Sequence, residues 1–385
     1  MEEGLKELVR LAEGDGANAV QVVDSLFELG VSRRASDIHI EPTETGVKVL
    51  LRIDGVLREA GELPLRAMPY IAGRIKVLSD LITYRSDLAQ EGRIRYERNG
   101  SAVDLRVSVF PLACGEKVVV RVFDPSERLR ALERLGLPEA ILETLRGTLA
   151  ANDGMILFTG PAGSGKTTTI YACLAELAGG EGGRRSVVTI EDPIELRIAG
   201  VTQTEVNARA GLTFASSLAH LLRQDPEALV VGEIRDAETA RIAIEASLTG
   251  HLLLSTMHCG NCAGAFSRLL DMGIEPYLVT SSVKLVVAQR LLRRLCESCG
   301  GEGGACKACG GTGYRGRVLA AEALGMSESL RRAVLAKADA GELEGIARET
   351  RCGGSLREAA VALVERKETS LEEVKRVFGR IDGSG

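Results

Sequence analysis

The stretch GMILFTGPAGSGKTTTIY, residues 154–171, constrains the fold more than any other. An apolar run reads as a buried strand, passes into a glycine-rich turn and then into a helix-forming segment. Gly160, Gly165, Lys166 and Thr167 fit G-x-x-x-x-G-K-[ST] in the strand, loop and helix context that the pattern requires. The glycines let successive backbone N–H groups converge on phosphate oxygens, and the opening turn of the helix adds partial positive charge. The expected cradle is Gly160, Pro161, Ala162, Gly163, Ser164, Gly165, Lys166, Thr167 and Thr168. Lys166 would span the β- and γ-phosphates of ATP, and the Thr167 hydroxyl would sit on Mg²⁺.

The segments downstream keep this style. SVVTIED, ALVVGE and GHLLLST are near-continuous apolar runs, as strands of a parallel sheet covered on both faces should be, so the fold class is α/β. Upstream the pattern differs. SDIHIEP, VKVLLRIDGVLREA, AVDLRVSVF and EKVVVRVFD alternate with period two around a helical pattern at MPYIAGRIKVLSDL, which predicts a small α+β unit. DPSERLRALERLGLP reads as a polar connector running into a helix, and past 317 the chain reads as amphipathic helices, including SESLRRAVLAKA and SLREAAVALVERKE.

A length of 385 residues calls for two or three compact units, each with its own core. The expected boundaries are 1–18 for a helical lead, 19–127 for the small α+β domain, 128–140 for a linker, 141–293 for the nucleotide-binding core, 294–316 for a cysteine element and 317–385 for a helical subdomain. A formal charge of −5 and a pI near 5.7 argue against a general electrostatic grip on nucleic acid. No run of eighteen apolar residues exists, and the start, MEEGLKELVR, is acidic and amphipathic where an export leader would be basic and then apolar. The expected location is cytoplasmic. Nine cysteines without an export signal make a secreted disulfide framework a poor reading, so the thiols are expected to be reduced or metal-bound.

Hydrolysis needs carboxylates at the phosphate edge. ALVVGEIRD offers Gly232 and then Glu233 where an Asp-Glu pair would be usual, so Glu233 is the expected base that orients or deprotonates water. The second acidic group near magnesium must come from elsewhere, and TIEDPIE supplies Glu191, with Asp192 and Glu195 beside it. TGHLLLSTMH places His251 and His258 at the two ends of a strand expected next to the phosphate loop, which makes His258 the candidate sensor of the γ-phosphate.

Cys296, Cys299, Cys306 and Cys309 make C-x2-C-x6-C-x2-C, four thiolates able to close a tetrahedral Zn²⁺ site with no open position, hence structural. Cys259 and Cys262 form another C-x-x-C between a strand and a helix. It is either a redox-sensitive pair that would distort His258 when oxidised or two tolerated small residues. Cys114, Cys173 and Cys352 read as packing residues.

Taken in order, ASDIHIEP, RIDGVL, DLRVS, GEKVVVR, GPAGSGKTT, TIEDPIE, LRQDPEALVVGEIRDAETA, TGHLLLSTMH, RLLDMGIEPY, AQRLLRRLC and CKACGGTGYRGR resemble the secretion ATPases of bacterial type II secretion and type IV pilus assembly. The resemblance spans about residues 20 to 370 and implies a RecA-like core, a small PAS-like domain bearing arginines, and a homo-hexameric motor. Such a motor hydrolyses ATP to drive an inner-membrane platform protein, with a membrane-anchored recruiting protein as a further partner; the acidic balance adds the expectation of no direct contact with nucleic acid. It also implies that Arg106 and Arg121 reach nucleotide phosphates across a domain or subunit junction, and it points to Arg223, Arg235 and Arg268 for phosphate contact or subunit coupling. The tetracysteine element belongs to assembly-type members, though only GGEGGA separates its two pairs here, and retraction-type motors generally lack it. Many type II members carry a further N-terminal docking domain, whereas this sequence begins almost at the arginine-bearing domain, as either a naturally short member or a shortened piece of a longer one would. A RecA-like motor for DNA uptake or conjugation, and a nucleotide-dependent scaffold that hardly hydrolyses, are the competing readings.

Overall fold

The structure is a computed structural model that describes residues 9, 10, 12, 18–98, 100–123, 129–179 and 185–379. Most of the helical lead expected over 1–18, and the start of the polar connector, lie outside the described residues. The chain divides into two compact units, 1–128 with 302–315 and 129–301 with 316–385.

In the first unit, α1 (Ala19–Ser32) and α2 (Met68–Leu78) pack on one side of a six-stranded antiparallel sheet. Its strands are β1 (Asp37–Pro42), β2 (Gly46–Ile53), β3 (Val56–Pro64), β4 (Gln90–Arg98), β5 (Ser101–Leu112) and β6 (Gly115–Phe123), in the order β3-β2-β1-β6-β5-β4. Period-two alternation decides which side faces the helices. On β5, Val103, Leu105, Val107 and Val109 are buried with Leu26 and Phe27 of α1 and Ile71 and Ile75 of α2, and Asp104, Arg106 and Ser108 take the opposite face. Asp54 and Gly55, both left-handed with φ of 49° and 81°, make the two-residue turn between β2 and β3. β4 is not legible in the sequence, because in QEGRIRYER only Ile94 is fully buried and charges fill the outward positions.

The second unit holds a seven-stranded sheet in the order β13-β12-β7-β11-β10-β8-β9. Its strands are β7 (Gly154–Thr159), β8 (Val187–Glu191), β9 (Thr202–Glu205), β10 (Ala228–Val231), β11 (Leu252–Met257), β12 (Val283–Leu295) and β13 (Tyr314–Gly325). All pairings from β12 through β7, β11, β10 and β8 to β9 are parallel. Both faces are covered, which is why the strands read as apolar runs: Met155 and Leu157 join one hydrophobic cluster and Ile156 and Phe158 the other. The helices are α3 (Glu139–Leu149), α4 (Lys166–Gly179), α5 (Phe214–Leu221), α6 (Ala237–Leu248), α7 (Cys262–Asp271), α8 (Pro276–Ser282), α9 (Glu328–Leu335), α10 (Ala340–Thr350), α11 (Leu356–Glu365) and α12 (Leu371–Phe378). The helical reading past 317 starts too early, since residues up to Gly325 are strand β13. VLAAEAL is an apolar run too short to show a period, and its alanines favour helix until a sheet edge claims it. From α9 on, side-chain caps at Ser327, Asp339, Ser355 and Ser370 start each helix.

Candidate nucleotide and metal sites

The phosphate loop runs from the end of β7 into α4. Gly160 has φ of 146°, and a Cβ there would lie 2.5 Å from Ser164 Oγ and 2.6 Å from the Gln289 carbonyl oxygen, so only glycine fits. Lys166 is buried, and its ammonium donates to the carbonyls of Gly160 (2.7 Å) and Pro161 (3.0 Å). Burial pushes its pKa down to about 8, opposed by the charge of Glu233. Ser164 Oγ is buried in the same loop without a hydrogen-bond partner among the described residues. Thr167 and Thr168 are exposed at the start of α4. A lysine held by two loop carbonyls and an orphaned hydroxyl suit a polyanion that brings many acceptors.

Glu233 follows β10 and comes to the same edge. Its side chain is 13 % exposed and sits between the Arg235 guanidinium and His258 Nε2 (3.5 Å), which are 66 % and 51 % exposed. Hence its partners are exposed basic side chains that can swing away without unpacking the core. Gly232 is also explained. Its N–H donates to the Ile190 carbonyl (2.8 Å), and a Cβ would press on that oxygen at 3.3 Å and on the Phe214 ring at 3.4 Å. An aspartate there would crowd the end of β8.

Glu191 is brought to the end of the neighbouring strand but with different company. It is buried, with one carboxylate oxygen accepting from the Tyr171 hydroxyl and the other from Thr189 Oγ1 (2.6 Å) and Gln203 Nε2 (3.0 Å). The Tyr171 hydroxyl also accepts from the N–H groups of Glu195 (3.0 Å) and Leu196 (3.4 Å), and burial raises its pKa. The expected open acid is therefore part of a knot that ties the segment after β8 to α4. Asp192 and Glu195 are exposed. His251 caps the end of α6 through Nδ1, 3.0 Å from the Ala246 carbonyl, while Arg223 and Arg268 are exposed.

Arg106 and Arg121 lie on the first unit's sheet, directly opposite each other on β5 and β6. The Arg106 guanidinium stacks 4.4 Å from the Phe123 ring centre. Arg121 Nε donates to Asp37 Oδ1 (3.0 Å), while Arg52 pairs with Asp37 Oδ2 (3.3 Å). The register runs Arg93, Arg106, Arg121, Asp37, Arg52 across five strands, so the two expected arginines are the middle of a cationic row. The row escaped sequence reasoning because its members are far apart in the chain, and strand pairing alone aligns them.

Between β12 and β13, the ligand atoms of Cys296, Cys299, Cys306 and Cys309 all lie within 4.8 Å of one another, a cluster able to hold a metal ion. Four sulfurs around one tetrahedral ion at a Zn–S length near 2.3 Å lie about 3.8 Å apart, inside that limit, so the donor set fits zinc. The other C-x-x-C does not pair. Cys262 is fully buried with its thiol on the Val286 carbonyl (3.3 Å), Cys259 is partly buried, and burial pushes both thiols up. Cys173 is buried as expected, but Cys114 is exposed in the turn after β5 and so is not a packing residue.

Residues 12–376 match the family described as "Type II/IV secretion system protein". The chain belongs to that family. Among its relatives, the "Type II secretion system protein HxcR" of Pseudomonas aeruginosa is 42 % identical over 373 residues, covering 94 % of this chain and 78 % of that protein. The "Type IV pilus assembly ATPase PilB" of Myxococcus xanthus is 39 % identical over 400 residues, covering 97 % and 69 %. Among solved structures, the ATPase DotB of Legionella pneumophila superposes with a TM-score of 0.70 at 22 % identity, over 92 % of this chain and 94 % of that one, a likeness of fold. The fold of this secretion-family chain is thus the one the motifs implied: a RecA-like phosphate-loop core, a small α+β domain, a tetracysteine element and helices toward the C-terminus. Among the described residues, no helix is long and apolar enough to cross a membrane.

Proposed function

We propose that this chain is an ATPase motor of a type II secretion or type IV pilus assembly system, driving pilin or pseudopilin assembly. One observation carries the reading: the Lys166 loop, Glu233 and His258 are gathered at the ends of adjacent parallel strands, with Glu233 close enough to act on the Lys166 charge. In this reading Lys166 leaves the loop carbonyls for the β- and γ-phosphates, and the loop N–H groups hold the rest of the polyphosphate. Glu233 orients and deprotonates the attacking water once Arg235 and His258 release it, and His258 then reports on the γ-phosphate. Mg²⁺, held at the Thr167 hydroxyl, supplies charge neutralisation when bound. Glu191 is given a supporting part, keeping the segment after β8 fixed against α4. Arg106 and Arg121 would act on phosphates in a homo-hexamer, which makes hydrolysis contingent on assembly.

The tetracysteine cluster is assigned to one structural Zn²⁺ per chain. With a pI near 5.7, direct binding of nucleic acid is disfavoured. The protein would work in the cytoplasm at the inner membrane through a platform protein and a recruiting protein. The deciding experiment measures ATPase activity of the assembled protein with a cytoplasmic platform fragment and, separately, with duplex DNA. Stimulation by the fragment alone is expected. Stimulation by DNA would favour a DNA motor, and absence of turnover under every condition would favour a scaffold.

A further inference from the structure

Arg290 lies on β12 beside the phosphate loop and is not among the arginines that the sequence motifs single out. It is partly buried, and burial lowers its pKa. Its Nη1 donates to the Gln289 carbonyl (2.9 Å), the same oxygen that lies against Gly160, and its Nη2 donates to the Gly260 carbonyl (2.7 Å). Its charge depresses the pKa of Lys166. Hence this guanidinium holds the loop that carries His258 by a direct hydrogen bond, and on its other side it holds the β12 carbonyl that packs against Gly160 of the phosphate loop.

No carboxylate among the described residues lies within ion-pair distance of Arg290. The acid whose field reaches it, Glu322, already accepts from the Cys262 N–H (2.9 Å), Arg351 Nη1 (2.8 Å) and the Leu356 N–H (3.0 Å). Two of the five N–H donors of Arg290 have partners among the described residues. A cation partly withdrawn from water without a counter-ion costs stability unless a ligand brings the negative charge. The far end of the His258 loop is fixed, since Asn261 Oδ1 accepts from Gly264 N–H (2.9 Å) and its Nδ2 donates to Glu344 (2.8 Å), itself paired with Arg351 (2.6 Å). The loop can therefore respond at Gly260 while its exit into α7 stays put.

We propose that Arg290 is a phosphate-binding residue for the nucleotide of its own chain, and that through Gly260 it passes the state of that site to the His258 loop. The inference rests on the ATPase reading above and adds a ligand to its site. The test uses the full chain, a fluorescent ADP with Mg²⁺ as probe, and hydrogen exchange of residues 258–262. Arg290→Gln is expected to weaken ADP binding about ten- to a hundredfold, the loss of a charge-assisted hydrogen bond. At saturating ADP it is also expected to lose the amide protection that the unaltered protein shows at 258–262. Arg290→Lys keeps the charge but cannot span both loops, so ADP binding should weaken less than tenfold while loop protection still disappears. That variant carries the test if the Gln protein does not fold. ADP affinity within twofold of the unaltered protein in Arg290→Gln, or loop protection that survives in either variant, overturns the inference. Lys166→Ala serves as the control: unchanged ADP binding there would sink the nucleotide-site reading itself, whereas lost binding there with normal Arg290 variants sinks the inference alone.

Discussion

Glu191 and Glu233 occupy matching places, just at or beyond the C-terminal ends of the adjacent parallel strands β8 and β10, where Ile190 lies opposite Val231. Their surroundings are opposite in kind. Glu191 is enclosed by Tyr171, Thr189 and Gln203, neutral donors rooted in α4, β8 and β9. Glu233 is met by Arg235 and His258, both more than half exposed and free to exchange their partner for solvent or substrate. The lesson is about what a buried carboxylate is for. Neutral donors fixed by secondary structure hold an acid as a structural joint, because removing it strands several buried groups. Exposed basic side chains hold an acid in reserve, because an exposed polar pair is worth little and separates easily.

This contrast can be broken by experiment. The largest effect should come from outside the pair: Lys166→Ala removes the only ammonium in the phosphate loop and is expected to abolish ATP turnover in a phosphate-release assay, and activity near normal would remove the edge on which both acids are placed. Next, Glu233→Gln should lower kcat by about 10²- to 10⁴-fold, the usual worth of a positioned base, with thermal midpoint and ADP affinity essentially unchanged. Glu191→Gln should show the reverse balance. Replacing one of the two oxygens that accept from three donors should cost about 1–3 kcal/mol, a drop of about 2–4 °C in the midpoint per kcal/mol, with a smaller fall in kcat. Calorimetric melting and kinetics on the two variants side by side would reverse the assignment if Glu191→Gln lost the rate and kept the stability.

The smallest effect is a proton. Lys166 has a folded pKa of about 8 against its ordinary 10.5. Between those values the unfolded chain binds more protons than the folded one, so the contribution of Lys166 to stability rises with pH across that window. Phosphate restores the ammonium, and ADP binding at about pH 9 should therefore take up a fraction of a proton, up to about one. Titration calorimetry in two buffers of different ionisation heat would detect it. Lys166→Arg, which stays charged, should show no such uptake, and equal uptake in that variant would mean another group is responsible.

Part of this architecture is legible in the amino-acid sequence. The phosphate loop, its strand and α4 follow from a local pattern in which every residue has a local reason, and the hairpin at Asp54-Gly55 follows from its turn residues. The C-x2-C-x6-C-x2-C spacing names the metal cluster, because four thiols within one short glycine-rich loop need no long-range folding to meet. β4 and β13 are not legible: charges mask the alternation of the first, and alanines make the second resemble a helix. Arg290 falls inside the stretch AQRLLRRLC, yet nothing in that stretch marks it as a phosphate contact. Its meaning comes from the Gln289 carbonyl lying on Gly160 and from Gly260 arriving on a loop thirty residues earlier.

Sequence alone determined which chemistry this chain carries, since a lysine after a glycine turn and paired cysteines have properties that local geometry already expresses. Only the tertiary structure decided which acid is held fast and which is held loosely, and which arginines share a row. Those are matters of who packs against whom across parallel and antiparallel strands, and pairing between distant segments is set by the burial of whole sheets, not by the residues that happen to be neighbours in the chain.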